Sequence, residues 1–191
     1  LDGMGELFRN LKSYEEFKTI SELLNIYISI EEIDKYIKDQ EIKVFPFYIA
    51  GDDIFLACRV KDIFNVVEAL KKFLKNLNRE INSNVEKEIV LTMCIGVEIT
   101  ENKQPIRFFY ERVEKQLEIA KREKEKNKLI MIGFYNRYFR YHEWNTMKSQ
   151  IFFIQTLKNQ NDEMMAGIKV ISTTYLYNLY RILLNLSNEN S

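Results

Sequence analysis

Apolar residues recur at helical spacing early in the chain. Phe17, Ile20, Leu23, Leu24, Tyr27 and Ile28 fall three and four apart, and Ile30, Ile33, Tyr36 and Ile37 extend the stripe. This predicts one long helix, or two with a slight break, ending near Lys38. Ser13 followed three positions later by Glu16 supplies a capping-box start. The period then changes. Residues 44–50 and 54–59 are apolar and aromatic runs separated by a Gly51-Asp52 turn signal, which predicts a tight β-hairpin with Asp52 and Asp53 at its tip. Pro46 marks the first run as exposed or edge-like. Helical spacing returns in Ile63, Val66, Val67, Leu70, Phe73, Leu74 and Leu77, with lysines on the outer face. Residues 89–99 read as a strand, Pro105 opens a helix carrying Phe109, Val113, Leu117 and Ala120 at core spacing, and residues 128–134 read as the last strand.

The order is therefore (strand)-helix-strand-strand-helix-strand-helix-strand. That is the split βαβ, or ferredoxin-like, arrangement: an α+β palm with an antiparallel sheet and helices on one face. Residues 135–140 form an aromatic and basic junction, read as packing rather than as an RNA contact through Arg137 and Arg140. Beyond it only helical segments are expected, over 142–159 and 173–186. The predicted division is a palm over residues 1–136 and a small all-α domain over 137–191. Leu1-Asp2-Gly3-Met4-Gly5 reads as the end of a strand entering a Gly-rich turn, so the palm's first strand is expected to be truncated.

Composition narrows the function more than it names it. Hydrophobic residues make up 46% and charged residues 29% of the 191, which suits a folded chain rather than a disordered one. Formal net charge is zero, so any nucleic-acid contact has to be local. Cys58 and Cys94 lie in apolar runs and read as buried residues in a reducing cytoplasm. A single histidine, His142, and no paired cysteines exclude a Cys/His zinc cluster built from this sequence. No apolar run approaches the eighteen or so residues of a membrane span, so neither a membrane segment nor a membrane partner is expected.

The chemistry with the sharpest signal is the pair of carboxylates at the hairpin tip. Adjacent like charges raise each other's pKa, and a divalent cation reverses that logic. Mg²⁺ takes oxygen ligands, keeps several waters, and is commonly held by one or two carboxylates plus substrate phosphates. Gly51 lets the backbone turn sharply next to a ligand. The bland alternative is an ordinary turn, because Gly and Asp are common there. The Asp2-Gly3-Met4-Gly5 turn ahead of a helix offers backbone N–H groups to a phosphate.

Residues 47–56, Phe-Tyr-Ile-Ala-Gly-Asp-Asp-Ile-Phe-Leu, resemble the Gly-Gly-Asp-Asp hairpin of the large subunit of type III CRISPR effector complexes, a relative of the GGDEF diguanylate cyclases. Asp2-Gly3-Met4-Gly5 resembles the second half of that family's Asp-x-Asp-x-x-Gly turn. Thr19-Ile20-Ser21 with Leu24-Asn25 resembles its first-helix pattern, and residues 91–97 resemble a palm strand usually written with Ser where Cys94 stands. Ala120-Lys121, then Lys126-Asn127, resembles a segment shared with the cyclases. Trp144 and residues 172–177 resemble the helical C-terminal domain of the Csm-type subunit.

The resemblance implies an enzyme that converts ATP to cyclic oligoadenylates by two-metal nucleotidyl transfer when the complex binds target RNA. Asp52 and Asp53 would hold Mg²⁺ or Mn²⁺. Gly3 and Met4 would offer backbone contacts to the triphosphate of ATP, beside Gly51. Lys121 and Lys126 would meet terminal phosphates, and Ser21 would face the adenine. Partners would be the other subunits of the effector complex, with guide RNA and target RNA reached through it. Ala50 departs from the family's first Gly, and the first acidic residue of its Asp-x-Asp pattern would precede Leu1. Two other readings stand beside this one: a catalytically silent palm scaffold, and a diguanylate-cyclase-like enzyme.

Overall fold

The computed structural model describes residues 1–38, 42–100, 105–122 and 128–163. Its elements run α1 (Met4–Asn10), α2 (Tyr14–Tyr27), α3 (Ile30–Lys38), β1 (Val44–Ala50), β2 (Asp53–Cys58), α4 (Ile63–Asn82), β3 (Met93–Val97), α5 (Ile106–Arg122), β4 (Ile130–Phe134), β5 (Arg137–Arg140) and α6 (Tyr141–Glu163). The α+β class matches that expected, and so does the element order as far as β4; β5 is an addition, and β3 pairs parallel with β4 where an antiparallel sheet was expected. The chain divides into two compact units, Leu1–Trp144 and Asn145–Ser191. The helix expected over 173–186, and the 172–177 motif, lie outside the described residues.

Local signals explain the helix ends. The Ser13 hydroxyl accepts from the Glu16 N–H at the start of α2, and the Glu16 carboxylate in turn accepts from Lys12 N–H, satisfying donors that no turn of helix precedes. Ser29 stands between α2 and α3, and its hydroxyl accepts from Glu32 N–H at 3.2 Å, so the long stripe breaks into two helices. α4 buries Val66, Val67, Leu70, Phe73, Leu74, Leu77 and Ile81. Phe73, Leu74 and Leu77 are fully enclosed, each worth about 2 kcal/mol of burial. α3 lies against α4, where Tyr36 meets the Phe73 ring edge-on at 5.9 Å and its hydroxyl accepts from Asn76 at 2.9 Å.

The strands form two sheets. β1 and β2 make an antiparallel hairpin, and β3, β4 and β5 make a mixed sheet in that order. β3 and β4 are parallel and joined by α5, while β4 and β5 are antiparallel. The junction at 135–140 is thus partly strand: Tyr135 and Asn136 adopt φ of 55° and 59°, the pairing turn of a tight hairpin, and β5 follows. β5 belongs to the sheet of the first unit, so that unit runs on past residue 136 to Trp144. There the indole is buried among Phe64, Phe134 and Phe139.

α5 packs on β3 and β4 because two glycines clear its path. Gly96 and Gly133 are register partners on adjacent strands. A Cβ on Gly96 would lie 2.5 Å from the Val113 carbonyl oxygen, and one on Gly133 1.8 Å from that of Gln116. Gly133→Ala is therefore expected to destabilise the first unit by about 3 kcal/mol, the upper part of the overpacking range. Gly5→Ala, where a Cβ meets nothing within 4 Å, should leave stability nearly unchanged. Urea unfolding of the two variants checks the contrast.

Candidate functional site

The acidic hairpin is closed by a two-residue turn. Ala50 pairs with Asp53, leaving Gly51 and Asp52 as the central residues. Gly51 has φ of 60°, and the glycine at the first central position is what a type II′ turn demands. Ala50 is the last residue of β1. Asp52 and Asp53 are both exposed.

Aromatic rings moor the hairpin to α5. Phe47 sits at a register shift between Pro46 and Tyr48 and stacks on Phe55 at 4.8 Å. Phe55 meets Tyr110 of α5 edge-on at 5.6 Å. The Tyr48 hydroxyl is pushed up to about 12, by burial first, then by its hydrogen bond with Tyr110 and the nearby Asp53 and Glu114 charges. Neither Tyr48, Tyr110 nor Glu114 was among the residues singled out from sequence. The signal for the α5 residues is their spacing, since 110, 114, 117 and 121 share one helix face.

A run of hydrogen bonds holds residues 89–92 and Asp2 on the other side of the slot. Asn78 of α4, buried, donates to the Leu91 carbonyl and accepts from the Leu91 N–H, both at 2.8 Å. One turn on, Asn82 does the same for Ile89, at 2.9 and 2.8 Å. The two side-chain amides thus stand in for a neighbouring strand along residues 89–91. The next residue, Thr92, exchanges backbone hydrogen bonds with Asp2 at 2.7 and 3.1 Å. Gly3, at φ 96°, then turns the chain into α1.

Between the hairpin and the mixed sheet runs a slot of about 240 Å³. β2 and β3 line it, and among the described residues neither is paired to a strand on the edge away from its own sheet. α4 contributes Val66 and Leu70, and α5 contributes Phe109 and Leu117, so the walls are mostly apolar. Asp52, Asp53, Glu114 and Lys121 also line the slot, with Leu1 and Asp2. Of the residues expected at the site, the structure therefore brings Asp52, Asp53 and Lys121 to one cavity, with Gly51 in the adjoining turn. Gly3 and Met4 follow Asp2 at the start of α1. Ser21 is half-buried on α2 and is not part of the lining. Lys126 lies outside the described residues.

Among the described residues no group of three or more His, Cys, Asp or Glu gathers as a metal cage. Two exposed carboxylates are nevertheless a donor set that suits Mg²⁺ or Mn²⁺, which complete their shells with water and phosphate oxygens.

An acidic hairpin beside a mixed sheet, with a helix laid across that sheet, is the build of a palm domain of nucleotidyltransferase type. The family model described as Cas10/Cmr2, second palm domain, matches residues 1–130, and the chain belongs to that family. It is thus a palm of the large subunit of a type III CRISPR effector, a multisubunit complex. No curated protein and no solved structure matches the chain. Among the described residues no helix is long and apolar enough to cross a membrane.

Cys58 and Cys94 line the slot from β2 and β3 and are half-buried rather than enclosed, because both border that space. Burial, and secondarily the Asp62 charge, push the Cys58 thiol up to about 11. Its thiolate fraction at pH 8 should fall roughly a hundredfold below that of an ordinary cysteine. In a Cys94→Ala variant, iodoacetamide labelling is expected to be correspondingly slow at pH 8 and to speed up as pH rises toward 11.

Proposed function

We propose that this palm converts ATP to cyclic oligoadenylates by two-metal nucleotidyl transfer when its complex binds target RNA. The observation that carries the reading is the acidic tip. Asp52 and Asp53 stand exposed on a turn closed by Gly51 and share their cavity with Lys121. Asp52 and Asp53 would hold Mg²⁺ or Mn²⁺. When bound, such ions supply activation of a ribose hydroxyl and neutralise charge on the departing pyrophosphate. The chain's own residues then orient ATP. The Gly3 and Met4 backbone is assigned to the triphosphate, Lys121 and Lys126 supply point charges to its terminal phosphates, and Ser21, off the slot lining, is assigned to the adenine.

Guide and target RNA are met through the other subunits, in the cytoplasm.

The test uses the parent complex assembled with guide RNA, given matching target RNA, ATP and Mg²⁺ or Mn²⁺. Oligoadenylates resolved by chromatography should appear only with target. An Asp52→Ala/Asp53→Ala variant should lose roughly a hundredfold or more of that rate. No product from a complex shown to bind its target would leave the palm as a scaffold. Product from GTP alone would favour the diguanylate-cyclase reading.

A further inference from the structure

We infer that Asp62 is a positioning residue for the acidic hairpin, fastening both of its feet to the start of α4; the inference rests on the metal-binding role proposed for Asp52 and Asp53. Among the described residues Asp62 is the one buried carboxylate, 7% exposed. A charge at such a place is retained at a cost unless it is paired. Its Oδ2 accepts from Arg59 Nε at 2.5 Å, and its carboxylate also accepts from the Lys43 backbone N–H. Those donors flank the hairpin on either side. Lys43 precedes Val44, the first residue of β1, and Arg59 follows Cys58, the last of β2. Val44 and Cys58 are themselves register partners, so one side chain grips both strands where the hairpin opens. The Arg59 hydrogen bond first, then the Arg59 charge and the Lys43 N–H, hold the carboxyl below the usual carboxylate range against the opposing effect of burial. The Asp62 N–H donates to the Arg59 carbonyl at 2.8 Å, closing a single 3-10 turn, Val60–Asp62, and α4 begins at the next residue.

The feet matter because of where the carboxylates stand. The hairpin shares no strand pairing with the mixed sheet among the described residues, so no ladder fixes the angle at which it leaves α4. The Phe55–Tyr110 contact keeps it against α5, but rings that meet edge-on can slide. β2 runs six residues from its foot to Asp53, about 20 Å. A swing of about ten degrees at the feet therefore carries the carboxylates about 3 Å. That exceeds a metal–oxygen bond of about 2.1 Å, and a misplacement of about 1 Å can already cost about a hundredfold in rate. Loss of Asp62 leaves both tip residues and their strand pairing in place but frees the frame that aims them.

The experiment uses the assembled complex carrying Asp62→Ala, Asp62→Asn or Arg59→Ala. Mn²⁺ binding is titrated by the loss of the free ion's electron paramagnetic resonance signal. Sites that vanish in Asp52→Ala/Asp53→Ala belong to the tip. Their affinity should fall about tenfold in Asp62→Ala, and by less in Asp62→Asn, which keeps an acceptor for the Lys43 N–H. Amide hydrogen exchange at Lys43 should speed up about tenfold in Asp62→Ala, with exchange at Ile132 in β4 unchanged. A merely structural defect would lower the yield of folded complex and leave the Mn²⁺ affinity of the remainder unaltered. If Asp62→Ala fails to fold, Asp62→Asn and Arg59→Ala carry the same comparison. Tip sites as tight in the folded variants as in the unaltered complex overturn the inference, and so does unchanged exchange at Lys43 in Asp62→Ala. If Asp52→Ala/Asp53→Ala removes no Mn²⁺ site, the metal reading falls and the inference falls with it, a result distinct from tip sites that are present but indifferent to Asp62.

Discussion

The close approach of α5 to the mixed sheet sets the geometry of everything around it. With no Cβ at Gly96 or Gly133, the helix backbone rests on strand backbone, and the side chains near the contact have to be chosen for that depth. Gln116 is buried there. Its side-chain Oε1 accepts from the Asn136 N–H at 2.9 Å, which holds the positive-φ turn into β5, and its Nε2 donates to the Glu98 carboxylate at 3.4 Å. Further along the same helix, Tyr110 meets Phe55 and Glu114 faces the hairpin tyrosine. A helix displaced outward by one methyl would move both ends of this set. The depth of α5 therefore fixes the β4–β5 turn on one side and the attitude of the acidic hairpin on the other.

Much of this fold was legible because burial imposes a period on the sequence. The stripe from Ile63 to Leu77 returned as the buried face of α4, and the apolar runs around Gly51-Asp52 returned as β1 and β2. What escaped was polar or lacked a side chain. Asn78 and Asn82 look like outer-face residues by type, yet their spacing from Leu74 and Ile81 places them on the core face. An asparagine at such a position signals a partner it must satisfy. Gly96 and Gly133 carry no periodic signal, since their contribution is the space they leave. β5 was hidden by Tyr135 and Asn136, which turn the chain with positive φ although neither is glycine. At the site, the carboxylates were legible as chemistry, and Lys121 followed from the family pattern. The clamps of Asn78 and Asn82 on Leu91 and Ile89 were not, because their partners are backbone atoms.

A two-stranded hairpin is marginal in water by itself, and this one shares no strand pairing with the mixed sheet among the described residues. Its order comes instead from the aromatic contact of Phe55 with Tyr110 of α5. The carboxylates themselves stay in water, which avoids the cost of burying like charges side by side. A cation at the tip would remove their mutual repulsion and add stability to the hairpin by mass action. In this architecture the rigid layer of α4, α5 and the sheet supplies position, and the element carrying the acidic residues is the one most able to respond to what binds there.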